Sequence, residues 1–245
     1  MQPFADRIAL VTGASRGIGY ATALALARAG AHVVALGRTV GGLEELDDAV
    51  RAAGGSATLT PLDMRDYPAL YRLGAALNER YGRLDVLVGN AAVAGVPSPL
   101  DHIEPKAWDE SIAVNLTANW HLIRAMDPLL KRSAAGRGVF LTSGVATSAR
   151  AYWAPYSVSK AALDVLVRTY AEETSSTNVR VNLFNPGPTR TRMRALAMPG
   201  ENPTTLPAPD EVAAKIIELC LPSVTASGKL YDFRSAKLLE FTRPA

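Results

Sequence analysis

An α/β domain built on one doubly wound parallel sheet is the fold class this sequence predicts, and three observations predict it. Short apolar segments alternate with longer helical patterns along the whole chain. Several of the short segments are rich in Val, Leu and Ile without strict polar alternation, as strands buried on both faces require. No linker or internal repeat interrupts the alternation across 245 residues, so a single domain spanning 1–245 is expected, with helices on both faces.

Taken in order, strands are expected at Arg7–Thr12, His32–Leu36, Ala57–Thr60, Leu84–Val88, Gly138–Thr142, Val179–Phe184 and Lys229–Phe233, about seven in all. The helical patterns between them cover Ile18–Ala29, Leu43–Ala53, Tyr67–Tyr81, Pro105–Lys131, Pro155–Glu173 and Pro209–Leu219. Gly30 and Gly54 follow helix ends, and Pro155 suits a first helical turn. The proline-rich stretch Met198–Pro209 reads equally as a substrate-covering loop or as a plain surface connection. The tail Arg234–Ala245 carries no diagnostic motif and reads as a segment that frays or docks on a partner subunit.

Composition narrows the function. Hydrophobic residues make up 48% and charged residues 20%, which is ordinary for a soluble globular protein. Basic residues number 26 against 23 acidic, a dispersed net charge of +3 with no phosphate-tracking stripe, so neither nucleic acid nor a membrane surface is an expected partner. Cys220 is the one cysteine, which excludes an internal disulfide and fits a reducing compartment. The N-terminal apolar stretch is too short and Gly-rich for a signal peptide or membrane span, so a cytoplasmic location is expected. His32, His102 and His121 are scattered, and no metal site is expected.

The first strand runs directly into Thr12-Gly13-Ala14-Ser15-Arg16-Gly17-Ile18-Gly19, and a helix follows. Glycines there permit a tight turn and close backbone approach by a phosphate, and the helix N-terminus offers free N–H groups and a favourable dipole. The spacing differs from G-x-G-x-x-G, and an ordinary strand–helix turn is the competing reading, but its place after the first strand favours a Rossmann-like dinucleotide site. The second strand then bears on the cofactor. Gly37 stands where an acidic residue for the ribose hydroxyls of NAD would be expected, while Arg38 beside it and Arg16 in the turn suit a 2′-phosphate. NADP is therefore preferred over NAD, against the alternative that Arg38 is merely a solvated strand-end residue.

Tyr156 and Lys160 lie four residues apart in a helical segment and so share one face. An ammonium there would favour the phenolate and lower the tyrosine pKa, making Tyr156 a workable acid/base. Such a pair is common on exposed helices, but Tyr152 and Tyr170 lack the lysine, which singles out Tyr156. Ser143 ends the fifth strand, where a hydroxyl can donate to a substrate carbonyl as charge develops on its oxygen; a turn-capping serine is the bland alternative. Asn115 falls mid-helix, a poor place for asparagine, and is expected to hold a bend and a water linked to Lys160, or simply to partner a carbonyl. Trp120 and Trp153 read as packing residues, Trp153 placed to border the substrate, and Arg150 reads as solvated or as favouring an acidic substrate.

Together these motifs resemble the classical short-chain dehydrogenase/reductase family, from Arg7 to about Phe233. The resemblance rests on Thr12–Gly19, Asp63 after the third strand, Asn90-Ala91-Ala92 after the fourth, Asn115, Ser143, Tyr156 with Lys160, and Asn185-Pro186-Gly187 after the sixth. It implies a catalytic tetrad of Asn115, Ser143, Tyr156 and Lys160, with Lys160 also holding the nicotinamide ribose. It implies cofactor contacts from Gly13, Ser15, Arg16, Gly17, Ile18, Gly19, Arg38, Asp63, Met64, Asn90, Ala91, Tyr156, Lys160, Pro186, Gly187, Thr189 and Thr191. It also implies homodimers or homotetramers paired through the helices of Asn115 and Tyr156. Two departures stand out: Gly89-Asn90-Ala91-Ala92 replaces the usual Asn-Asn-Ala-Gly, and the run from Asn185 to Ala195 resembles a bacterial subgroup of unassigned substrate. The expected function is hydride transfer between NADP(H) and a small carbonyl or alcohol. A non-catalytic NADP-binding sensor or scaffold is the alternative, and a sugar-nucleotide epimerase would want a larger C-terminal domain.

Overall fold

The computed structural model describes residues 2–241. Their strands form one sheet in the order β3-β2-β1-β4-β5-β6-β7-β8. In chain order these are β1 (Ile8–Thr12), β2 (His32–Gly37), β3 (Ser56–Pro61), β4 (Val86–Gly89), β5 (Arg137–Leu141), β6 (Arg180–Asn185), β7 (Leu230–Asp232) and β8 (Lys237–Leu239). The first seven are parallel to their neighbours, and β8 turns back antiparallel on β7. The order reverses between β1 and β4, the switch point at which a doubly wound sheet opens a ligand crevice.

Alternate side chains along each strand feed two cores. Ala9, Val11, Val33 and Ala35 face α1 (Gly17–Arg28), α2 (Val40–Ala52) and α9 (Pro209–Leu219). Ile8, Leu10, Val34 and Leu36 face α3 (Tyr67–Tyr81), α5 (Ala118–Arg132) and α7 (Ala154–Glu173). Burial on both faces is why the central strands read as unbroken apolar runs.

Two expectations are corrected, and one open reading is decided. The sheet has eight strands among the described residues rather than seven, because the tail folds back at Ser235 and Ala236 to form β8; 242–245 lie outside the described residues. The single helix expected over Pro105–Lys131 is α4 (Pro105–Ile112), a π-helical turn over Ala113–Thr117, and α5. The turn widens at Asn115, whose carbonyl accepts from Asn119 Nδ2 at 2.9 Å, so the asparagine side chain serves a carbonyl in this irregular turn. Finally, the element beside the cleft is not Met198–Pro209 but α8 (Arg192–Ala197), just before it. The proline-rich stretch behaves as a surface connection, tied down by Arg194 to Glu201 and by Arg190 N to Pro207 O at 3.0 Å. Two short helical pieces, α6 (Val145–Ser148) and α8, had not been expected at all.

Candidate active site

A cleft of about 710 Å³ opens over the C-terminal ends of the strands. Every residue expected to bind cofactor or act in catalysis lines it except Gly19 and Asn115, which lie just behind the wall.

The glycine turn is shaped by contacts a side chain would block. Gly13 has φ +67°, and a Cβ on Gly19 would come within 2.3 Å of the Gly13 carbonyl oxygen. Asn90 holds the turn from beside it, donating through Nδ2 to Thr12 O at 2.8 Å and Gly13 O at 3.3 Å. Thr12 Oγ1 accepts from the backbone of both Asn90 and Ala91 at 3.0 Å, joining the ends of β1 and β4. The departure at Gly89 has a physical cause: a Cβ there would lie 2.3 Å from the ring of Phe140, which occupies the space an asparagine would need.

At the end of the cleft beside β2 and β3, Arg38 is half-exposed and lies 3.9 Å from Asp63. Asp63 is claimed more closely by Arg65, whose Nη2 is 2.7 Å away and whose hydrogen bonds hold the carboxyl below its ordinary range. Arg65 is a residue sequence reasoning missed. Arg38 thus keeps its guanidinium largely free beside Arg16, and the only cleft-lining carboxylate among the described residues is bound elsewhere. Glycine cradle, helix N-terminus and two cations fit a dinucleotide carrying an extra phosphate.

At the other end the residues of the expected tetrad come together from α7, the end of β5 and the π-helical turn. Lys160 is 1% exposed, and its Nζ donates to Leu141 O at 2.7 Å. Its ammonium lies 5.8 Å from the Tyr156 ring centroid. Asn115 Oδ1 accepts from Val93 N at 2.8 Å, and Nδ2 donates to Val93 O at 2.8 Å and Ser159 Oγ at 3.0 Å. Asn115 therefore clasps the β4-following loop to α7, and the described bonds run through Ser159 rather than to Lys160. Asn185 does similar work across the cleft: Oδ1 accepts from Gly144 N and Gly187 N, both at 3.1 Å.

Burial dominates the electrostatics of the Tyr156–Lys160 pair. Desolvation in the cleft wall pushes the Tyr156 phenol up to about 12, and the Ser143 hydroxyl pulls the other way. Burial lowers the Lys160 ammonium, opposed by the carboxylate of Asp164 one helical turn later. Burial in turn raises Asp164, while the Thr142 hydroxyl and Lys160 pull it down. Trp153 and Arg150 both line the cleft, whereas Trp120 lies away from it against His121 and Arg124. No group of three potential ligands for a metal occurs among the described residues.

Residues 7–202 match the short chain dehydrogenase family. The chain belongs to that family. This short chain dehydrogenase is 37% identical over 210 residues to the uncharacterized oxidoreductase YciK of Escherichia coli K12, covering 84% of this chain and 83% of that one. It is 34% identical to cis-4-hydroxycyclohexanecarboxylate dehydrogenase of Sinomonas cyclohexanicum, over 88% and 89% of the two chains. A short chain dehydrogenase of Shigella flexneri, crystallised with NADP, superposes with a TM-score of 0.91 at 34% identity, over 95% of this chain and 99% of that one.

Proposed function

We propose that this short chain dehydrogenase is an NADP-dependent oxidoreductase of a C=O/CH–OH group, with Tyr156 as its acid/base. The observation that carries the reading is the convergence of Tyr156, Ser143 and Lys160 on one end of a cleft whose other end holds a glycine cradle, Arg16 and Arg38. The NADP-bound neighbour and the relative named for a ring alcohol support the cofactor and the bond class.

NADPH, when bound, supplies the hydride. Gly13, Ser15, Gly17 and Ile18 would hold its pyrophosphate, Arg16 and Arg38 its 2′-phosphate, Asp63, Met64, Asn90 and Ala91 the adenosine and ribose side, and Pro186, Gly187, Thr189 and Thr191 the nicotinamide. Tyr156 donates its phenolic proton to the substrate carbonyl oxygen. Burial keeps the phenol in the protonated form that this step starts from. The Ser143 hydroxyl donates to the same oxygen, stabilising charge as it forms. Lys160 supplies a buried positive charge behind the ring, and Asn115 keeps Val93 and α7 in register with it. The substrate is a small molecule, and pairing of copies through α5 and α7 is supported by the exposed Trp120, Val158 and Val165 on them.

Turnover with NADPH and NADH across aldehydes and ketones tests the reading. Tyr156→Phe is expected to lower turnover by about 10²–10⁴-fold while leaving NADPH binding, measured by fluorescence titration, nearly intact. Arg38→Leu is expected to weaken NADPH about tenfold and NADH little. An unchanged rate in Tyr156→Phe would sink the mechanism.

A further inference from the structure

Charge of one sign surrounds the substrate end of the cleft. Past Lys160, the charged residues there are Arg150, Arg192, Arg194 and Arg234, while Asp63 sits at the far end in the grip of Arg65. Arg194 is already engaged: its Nε and Nη2 hold Glu201 at 2.5 and 2.6 Å. Arg150 lies near enough to influence Glu201 but not to bond it, and has no ion pair among the described residues.

The backbone holds Arg150 in an unusual way. Ala149 has φ +43° and Tyr152 φ +72°, so two non-glycine residues in the left-handed region flank it. Such conformations persist where surrounding structure enforces them, and they concentrate at functional sites. Here Ser98 N donates to Tyr152 O at 3.0 Å, pinning the turn, while the Tyr152 side chain is 60% exposed and gains little burial in return. The guanidinium lies 5.6 Å from the Trp153 ring centroid, and that ring lies 6.1 Å from Tyr156. A cation, an apolar platform and the proton donor thus follow one another, with Val93, Val145, Met193 and Leu196 as further apolar lining.

We propose that the substrate is a carboxylic acid: a carbonyl compound with an apolar, ring-sized body whose carboxylate pairs with Arg150 while its carbonyl meets Tyr156. This rests on the carbonyl-reductase reading of the site. A guanidinium presents two parallel N–H donors that match the two oxygens of a carboxylate, and of the cleft arginines without an ion pair among the described residues, Arg150 is the one placed against the Trp153 ring that leads to Tyr156. The cations suited to the cofactor phosphates stand elsewhere, at Arg16 and Arg38. The platform Trp153 fills the gap between anion and carbonyl, so acids whose two groups are separated by a ring fit better than short 2-oxo acids.

The test compares 4-formylbenzoate with its methyl ester, which share the reacting aldehyde and differ in the anion. With NADPH, the wild type is expected to favour the acid in kcat/KM by about tenfold or more. Arg150→Ala is expected to bring the acid-to-ester ratio close to one, and Arg150→Lys to restore part of it. Equal use of acid and ester by the wild type, or a ratio unmoved in Arg150→Ala, overturns the proposal while the reductase reading stands. If neither aldehyde is reduced, the reductase reading fails for these carbonyls, and calorimetry of 4-formylbenzoate on the NADPH-loaded protein decides the anion site. Saturable binding that Arg150→Ala abolishes supports it, and absence of binding overturns it.

Discussion

Where the strands begin, Arg137 is 5% exposed and surrounded by acceptors; where they end, Lys160 is 1% exposed and has one among the described residues. Arg137 donates to the carbonyls of Gly136, Asn178, Leu221 and Pro222, the last two just past the C-terminus of α9, where carbonyl dipoles favour a cation. Beside it Asp85, 3% exposed, accepts from Ile8 N at 2.9 Å, Arg83 Nε at 3.1 Å and Ser133 Oγ at 2.5 Å. At the opposite edge the polar groups are under-used. Among the described residues Ser157 Oγ, next to Tyr156, is buried without a hydrogen-bond partner, and Asp164 Oδ1 and Thr142 Oγ1, near Lys160 and Ser143, have at most each other. A saturated network is a structural joint, whereas buried polar groups with capacity to spare mark the edge at which chemistry is done. Both edges bury charge, so burial alone does not tell site from scaffold; Arg137 and Lys160 differ in how many acceptors hold them.

Exchanging each cation for methionine breaks that comparison most directly. Lys160→Met removes the charge behind Tyr156, and turnover is expected to fall by about 10²–10⁴-fold. Its midpoint in urea should stay level or rise, because a buried cation with few partners gives way to an apolar side chain of similar length. Arg137→Met should do the reverse. It strips charge-assisted bonds from four carbonyls, so urea unfolding is expected to show a loss of about 2–3 kcal/mol, while turnover per folded molecule holds. Equal losses of stability in the two variants would erase the distinction between the edges. Asp85→Asn sharpens it: the amide exchanges acceptors for donors beside Ile8 N, with an expected cost of about 1–2 kcal/mol and no change in kcat.

The same contrast explains what could be read in the amino-acid order. The five central strands were legible because burial on both faces demands apolar runs, as in Val33–Leu36, while the half-buried β3 and β7 were legible from their place in the alternation with helices. β8 was not: all three of its residues are exposed, and its pairing depends on a turn in which Ala236 takes φ +52°. Asn115 advertised itself by being an asparagine inside a helix, but the rescue of its carbonyl by Asn119 was invisible until the π-helical turn was seen. Tyr156, Ser143 and the glycine turn were legible because each needs a particular side chain, or none, at a particular strand or helix end. The partners that hold them were hidden because many are backbone atoms: Leu141 O for Lys160, and Val93 N and O for Asn115. Gly89 looked like an anomaly, and only the ring of Phe140, 51 positions away in the chain, gives it a cause.

Asp164 offers the smallest effect and the finest probe. It sits one turn beyond Lys160, a spacing that usually signals an exposed helical pair, yet it is 6% exposed. Its carboxylate opposes the downward pull of burial on the Lys160 ammonium. Asp164→Asn removes that opposition, so the folded-state pKa of Lys160 moves further below its ordinary value. If catalysis needs Lys160 charged, the alkaline limb of the kcat/KM profile is expected to move toward lower pH, with the rate on the acid side of that limb nearly retained. A purely structural aspartate would lower the whole profile without moving it. Measuring kcat/KM from pH 6 to 10 in the wild type and in Asp164→Asn separates the two. A limb that stays in place would assign Asp164 to the satisfied kind of buried charge seen around Asp85, rather than to the working edge of the sheet.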